Sequence, residues 1–169
     1  DKQGLAKNTL VVFTSDNGTW LIQGAQGGSA GLLRDGKGST WEGGMRVPCI
    51  VSWPGRIPPG TSHAMAHAMD IFPTALTLAG GAVPEGRDLD GIDLTAHLTS
   101  GAALPDRPFF FYRGATLFAC RIGDFKAHFL TQNAAGQPDP SAHEPPLLYN
   151  LAIDPSEQHD IGSRHPEVL

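Results

Sequence analysis

Three short stretches carry residue types that could do chemistry. The first is Ser15-Asp16-Asn17-Gly18, at the end of the β-prone run Thr9–Thr14. A carboxylate beside a carboxamide offers hard oxygen donors, which suit Ca2+ or Mg2+. A plain Asx turn accounts for the same residues, and both readings stay open. The second is Gly31-Leu32-Leu33-Arg34-Asp35-Gly36-Lys37-Gly38-Ser39-Thr40. It nearly spells the phosphate loop G-x-x-x-x-G-K-[ST], but Gly38 stands where the Mg2+-binding hydroxyl is needed, and no apolar strand leads straight into it. A nucleotide loop is therefore disfavoured. What survives is Lys37 among glycines, where an anion can approach closely and backbone N–H groups can reach it. The competing reading is a surface lysine in a turn. The third stretch is Thr40–Pro48, with Trp41 as an apolar anchor, glycines as a tight entry to a strand, and Arg46 as an ion-pair partner for Glu42 or another acid.

Those residues need elements to position them. The run Thr9–Thr14 is apolar on both faces, as a buried parallel strand would be. Sites in open α/β sheets form just outside the carboxyl ends of such strands. Gly24–Gly44 reads as one long glycine-rich loop, and long loops inside compact domains are usually functional. Val47–Trp53 is a second strand, confined by Pro48 to an edge or to the residues after it. A helix is expected over Asp70–Leu78, with Asp70 as N-cap and Ile71, Ala75 and Leu78 on the core face. A shorter helix, capped by Asp93, is expected over Asp93–Leu98. Composition shifts near Pro105. Strands are expected at Phe109–Tyr112, Thr116–Ile122, Phe125–Leu130 and Leu147–Leu151, with a hairpin turn at Gly123-Asp124 and a loop over Thr131–Pro146. Short strands on tight turns imply an antiparallel sheet.

Composition bounds the function classes. The chain has 169 residues, 40% hydrophobic and only 17% charged, with 21 Gly and 14 Pro, which fits one core with many ordered loops. The net charge of −5 and the lack of a Lys/Arg cluster argue against a nucleic-acid partner. No apolar run approaches the roughly 20 residues of a membrane span. Cys49 and Cys120 sit in apolar runs and read as buried single thiols, with a disulfide between them left open. A start at Asp1, with a strand by about Thr9, reads as a cut from a longer protein.

The order of the motifs is more specific than any one of them. S-D-N-G, then G-K-G-S-T-W-E-G-G-M-R-V-P, then S-W-P-G, then M-D-I-F-P-T resembles the sulfatase family along nearly the whole chain. L-L-R-D-G-K-G-S-T-W-E-G-G, K-A-H-F and A-H-E-P-P-L-L-Y-N-L are similar to the arylsulfatase A type, and D-R-P-F-F-F-Y-R-G-A-T-L to the galactosamine-6-sulfatase type. The resemblance implies an α/β, alkaline-phosphatase-like fold. Residues 1–105 would be the C-terminal part of the catalytic α/β domain with its large mixed sheet, and 106–169 a small antiparallel-sheet subdomain. It implies Asp16 and Asn17 as calcium ligands and Lys37 as the sulfate-binding, catalytic lysine. His143 is a candidate for the substrate pocket, with a plain loop histidine as the alternative. It also implies that the sequon Asn17-Gly18-Thr19 carries no glycan, and that Asp35 replaces a disulfide cysteine of the arylsulfatase A pattern.

The family's nucleophile is a formylglycine made from the Cys of C-x-P-x-R. Cys49 is followed by Ile50-Val51 and Cys120 by Arg121-Ile122, so neither fits. The resemblance thus implies a C-terminal portion of a calcium-dependent sulfatase, inactive by itself, whose partners are the N-terminal part of the same enzyme and a sulfated small molecule, glycan or glycolipid. A homo-oligomer and a lysosomal, secreted or periplasmic location are also compatible with it. Two other readings remain: a metal-dependent phosphatase or phosphodiesterase of the same superfamily, which would want more His/Asp ligands, and a non-catalytic anion-binding module.

Overall fold

The computed structural model describes residues 2–135 and 139–169; positions 136–138 of the expected loop lie outside them. The elements run β1 (Val11–Thr14), α1 (Glu42–Met45), β2 (Cys49–Ser52), α2 (Ile71–Leu78), α3 (Thr95–Ser100), β3 (Phe109–Arg113), β4 (Thr116–Ile122), β5 (Phe125–Thr131) and β6 (Ser141–Asn150). Two units share them. One holds residues 1–14 with Cys49–Pro105, the other Ser15–Pro48 with Asp106–Leu169. One division therefore falls between Pro105 and Asp106, and the Ser15–Pro48 segment groups with the residues after it.

In the first unit β1 pairs antiparallel with β2, from Val11↔Ser52 to Thr14↔Cys49. This corrects the expectation of a buried parallel strand. Val11 is 53% and Phe13 67% exposed. A strand's own apolar pattern shows that it is fit for burial, but its direction depends on the partner it finds. β2 begins directly after Pro48, as that residue's missing N–H requires. α2 forms where expected, yet its buried residues are Pro73 and Thr74, whereas Ile71 and Ala75 are exposed. Asp70 holds the N-cap position of α2, as expected, but its side chain makes no cap bond to that helix. Its fully buried carboxylate instead accepts the His67 and Ile92 N–H groups, each at 2.9 Å. Thr74 Oγ1 donates to the Asp70 carbonyl and accepts the Leu94 N–H, so α2 and the entry to α3 are tied through polar groups. Asp93 Oδ1 accepts the Thr95 N–H at the start of α3, one turn residue beyond its expected place. Cys49 is a free, exposed thiol, which corrects its reading as buried. Cys120 is free and half-buried, and burial pushes its thiol up.

The second unit is built on a four-stranded antiparallel sheet in the order β3-β4-β5-β6. Gly123, at φ 55°, makes the tight turn from β4 into β5. β6 begins at Ser141 and so takes in part of the stretch expected to be loop; Leu130 faces Ala142 and Thr131 faces Ser141. Pro145 and Pro146 are compatible with that strand because they fall where the β5–β6 register is interrupted, between the His128↔Leu147 and Leu130↔Ala142 pairs. The glycine-rich segment is not a surface loop throughout. Ser39–Gly44 is buried, and Trp41 packs against His128 and Tyr149 with ring centroids 4.3 and 6.0 Å away. Trp41, Tyr149 and Leu151 form the apolar centre of this unit.

Candidate functional site

The Asp16–Asn17 turn and the Lys37 loop are joined backbone to backbone. The Lys37 N–H donates to the Thr19 carbonyl at 2.7 Å, and the Gly18 N–H to the Gly44 carbonyl at 2.9 Å. Glycine is required here by close approach. A Cβ on Gly18 would run into the Gly43 carbonyl, and one on Gly43 into the Arg34 and Asp35 carbonyls. The loop is therefore compact. Its glycines serve tight packing more than freedom of movement.

Asp16 is exposed, and its carboxylate has no hydrogen bond or ion pair among the described residues. Asn17 is half-buried and lines a cleft of about 490 Å³ together with Ser15, Thr19, Ser29 and Arg46. Ser15 Oγ donates to the Asn17 carbonyl at 2.8 Å and holds the turn. Lys37 is exposed, and its Nζ lies 4.8 Å from the centre of the Trp20 ring, within cation–π reach. His143 is half-buried on β6, with Nε2 2.8 Å from Thr131 Oγ1. The fold thus brings the Asp16–Asn17 turn and the Lys37 backbone together, while the partner of His143 is Thr131.

Behind the loop lies a buried set of charges. Lys126 Nζ is 3.0 Å from Glu42 Oε1 and 3.1 Å from Glu157 Oε1. Arg121 Nη1 is 3.1 Å from Glu42 Oε2, and His128 Nε2 is 2.7 Å from Glu157 Oε1. Lys126, His128 and Glu157 are 0% exposed. Burial by itself pushes the Glu157 carboxyl up, but the His128 hydrogen bond and the Lys126 charge outweigh it and hold the group below its ordinary range. Burial pulls His128 down, Lys126 adds to this, and Glu157 offsets only part of it, so the imidazole is held neutral-favouring. Glu42 is thus met by Lys126 and Arg121, not by Arg46, which is exposed and gives its N–H to the Glu42 carbonyl.

No three or more His, Cys, Asp or Glu side chains gather into a metal cluster among the described residues. Asp16 and Asn17 still fit a divalent cation as a partial donor set, since both are oxygen ligands and Asp16 is unengaged; Ca2+ takes about six to eight such oxygens. Sequence reasoning missed Trp20, Glu157 and the buried role of Lys126 and His128. Trp20 stood beside the S-D-N-G-T turn and was findable as a stacking surface. Glu157 lies far along the chain and gave no local signal.

The two-unit α/β architecture, with its antiparallel sheets and a glycine loop beside an oxygen-donor turn, places the chain in the alkaline-phosphatase-like fold class. Within that class it belongs to the sulfatase family: the Sulfatase model matches residues 1–82, and the model for the C-terminal region of aryl-sulfatase matches residues 104–169. Arylsulfatase A of Homo sapiens is 43% identical over 98% of this chain and 36% of its own length. N-acetylgalactosamine-6-sulfatase of Canis lupus familiaris is 43% identical over the same shares, 98% and 36%. The crystal structure of PsFucS1 sulfatase from Pseudoalteromonas sp. superposes with a TM-score of 0.89 at 32% identity, covering 99% of this chain and 35% of that one. Ps i-CgsB in complex with k-i-k-neocarrahexaose gives a TM-score of 0.77 at 34% identity, covering 99% and 35%. The chain therefore spans about a third of the length of the relatives it matches.

Proposed function

We propose that this chain is the C-terminal portion of a calcium-dependent sulfatase that hydrolyses sulfate esters, with a formylglycine nucleophile contributed from outside these residues. Asp16 and Asn17 are read as two calcium ligands and Lys37 as the ammonium that meets the sulfate. The observation that carries the reading is the 2.7 Å bond from the Lys37 N–H to Thr19, two residues beyond Asn17. It ties an oxygen-donor turn to a lysine loop in a member of the sulfatase family.

Hydrolysis at sulfur needs the non-bridging oxygens neutralised as charge develops on them and on the leaving oxygen. A bound calcium ion would supply Lewis-acid stabilisation there. Lys37 contributes a positive charge, carried on a side chain whose ammonium lies 4.8 Å from the Trp20 ring centre. His143 is read as a hydrogen-bonding group toward the rest of the substrate, held in orientation by Thr131. The substrate class is read as a sulfated small molecule, glycan or glycolipid, supported in its sulfated part by relatives named arylsulfatase A and N-acetylgalactosamine-6-sulfatase. A lysosomal, secreted or periplasmic location is read from the family resemblance alone.

The test uses the full-length enzyme. Asp16→Ala is expected to weaken calcium binding, measured by titration, while Lys37→Ala lowers turnover of an aryl sulfate with calcium affinity retained. Wild-type behaviour in both variants would sink the site assignment. Metal-dependent aryl sulfate turnover by the purified 169-residue chain would sink the view that these residues are inactive alone.

A further inference from the structure

Lys37 sits on an excursion whose two stems are Arg34 and Glu42, and one distant residue grips both. The Glu157 carbonyl accepts Arg34 Nη1 at 2.6 Å, and Glu157 Oε2 accepts the Glu42 N–H at 2.7 Å. The stems also close on each other, because the Gly43 N–H donates to the Arg34 carbonyl at 2.8 Å. Next to Glu157, Ser156 Oγ donates to the Leu32 carbonyl at 2.6 Å, two residues before the first stem. The other carboxylate oxygen of Glu157 is held by Lys126 and His128 on β5. Arg34 is kept in place from its far side by Trp41, with its guanidinium carbon 3.6 Å from the ring centre.

Glu157 also adopts φ 51°, a left-handed conformation that a non-glycine residue keeps only where its surroundings over-determine it. A substitute at this position would lack the carboxylate that makes the strain worth holding. We propose that Glu157 is a positioning residue for the sulfate-binding lysine: it clamps both stems of the 34–42 excursion to β5 and thereby sets the reach of Lys37. This rests on the reading of Lys37 given above. Glu157 is fully buried, so it acts through the loop. A displacement of about 1 Å in a catalytic group is enough to cost about a hundredfold in rate.

The experiment is a double-mutant cycle in the full-length enzyme, reading kcat and KM for an aryl sulfate alongside the melting temperature. Glu157→Ala is expected to lower kcat by about tenfold to a hundredfold. Glu157→Gln keeps an oxygen for the Glu42 N–H and is expected to lose less; it also carries the cycle if Glu157→Ala does not fold. In a Lys37→Ala background, the same Glu157 substitutions should change kcat by less than about twofold, because residues acting as one unit are not additive. Losses that multiply would overturn the proposal, as would a lowered melting temperature with wild-type kcat. Wild-type kcat in Lys37→Ala alone would strike the lysine's own role, and that single variant identifies this failure separately.

Discussion

Lys126 Nζ lies 3.0 Å from Glu42 Oε1, with the lysine 0% and the glutamate 2% exposed. The pair joins β5 to the first turn of α1, 84 positions earlier in the chain. Lys126 also donates to the Thr40 carbonyl at 2.7 Å and lies 4.1 Å from the Phe111 ring centre. The ammonium is thus fully enclosed by acceptors and an aromatic face. Removing one partner of such a pair strands the other charge, at a cost of about 3–5 kcal/mol. Lys126→Met in the full-length enzyme is expected to lose that much stability in denaturant unfolding. A loss below about 1 kcal/mol would mean that Arg121 and water compensate Glu42.

Acid should loosen the same region in two stages. The folded state holds both His128 and Glu157 below their ordinary values of 6.5 and 4.5. A depressed folded value means that the unfolded chain binds the proton more readily, so stability falls as pH falls. The loss begins below 6.5, from His128, and steepens below 4.5, from Glu157. Melting temperature against pH should therefore decline from neutrality toward pH 4. In His128→Gln the first stage should flatten while the second remains, and an unchanged profile would contradict the assignment.

Asp35 links two loops of the second unit. Its Oδ1 accepts the Gly36 N–H at 2.9 Å and its Oδ2 accepts the Ala134 N–H at 2.8 Å, with the residue at φ 60°. The first bond is local, and the second crosses to a segment 99 positions along the chain. Asp35→Ala loses both acceptors and keeps the left-handed backbone without a local bond to support it. It is expected to cost about 1–3 kcal/mol, and Asp35→Asn, which retains one acceptor and tolerates that conformation, less. Equal melting temperatures for the two variants would refute the carboxylate's linking role.

The first unit leaves large apolar side chains uncovered, with Phe13 67%, Ile50 62% and Val11 53% exposed on the β1–β2 ladder. Apolar surface of this kind on an open strand pair favours association. The 169-residue chain alone is expected to bind a hydrophobic dye and to elute above its 17.9 kDa mass. A dye-silent monomer would show that these faces are tolerated in water. Phe13→Ser with Ile50→Ser should reduce both signals.

The candidate residues Asp16, Asn17 and Lys37 were singled out by local signals, donor type at the end of a strand and flanking glycines, while their roles came only from the resemblance to the sulfatase family. The β4–β5 hairpin was legible from Gly123-Asp124, where turn chemistry depends on adjacent residues. The strand partner of β1 was not, since Val11–Thr14 reads alike whether its neighbour runs parallel or antiparallel. Asp70 was legible as the residue before α2, but not the N–H groups its carboxylate accepts, because an aspartate before a helix looks the same whichever they are. Those groups belong to His67 and Ile92.

β5 shows where the sequence ends and the tertiary structure begins. Alternation in Phe125-Lys126-Ala127-His128 determines that Lys126 and His128 share a face, since successive side chains in a strand point to opposite sides. It does not determine that this face is the buried one. That is decided by Glu42 and Glu157, which arrive from positions far apart in the chain to meet the Lys126 ammonium and the His128 ring. The sequence by itself determined the family and the local order of the turn and the glycine-flanked lysine. Only the tertiary structure decided that Glu157 reaches back to both stems of that loop, because a hydrogen bond between residues 115 positions apart depends on the folded path and leaves no periodic trace.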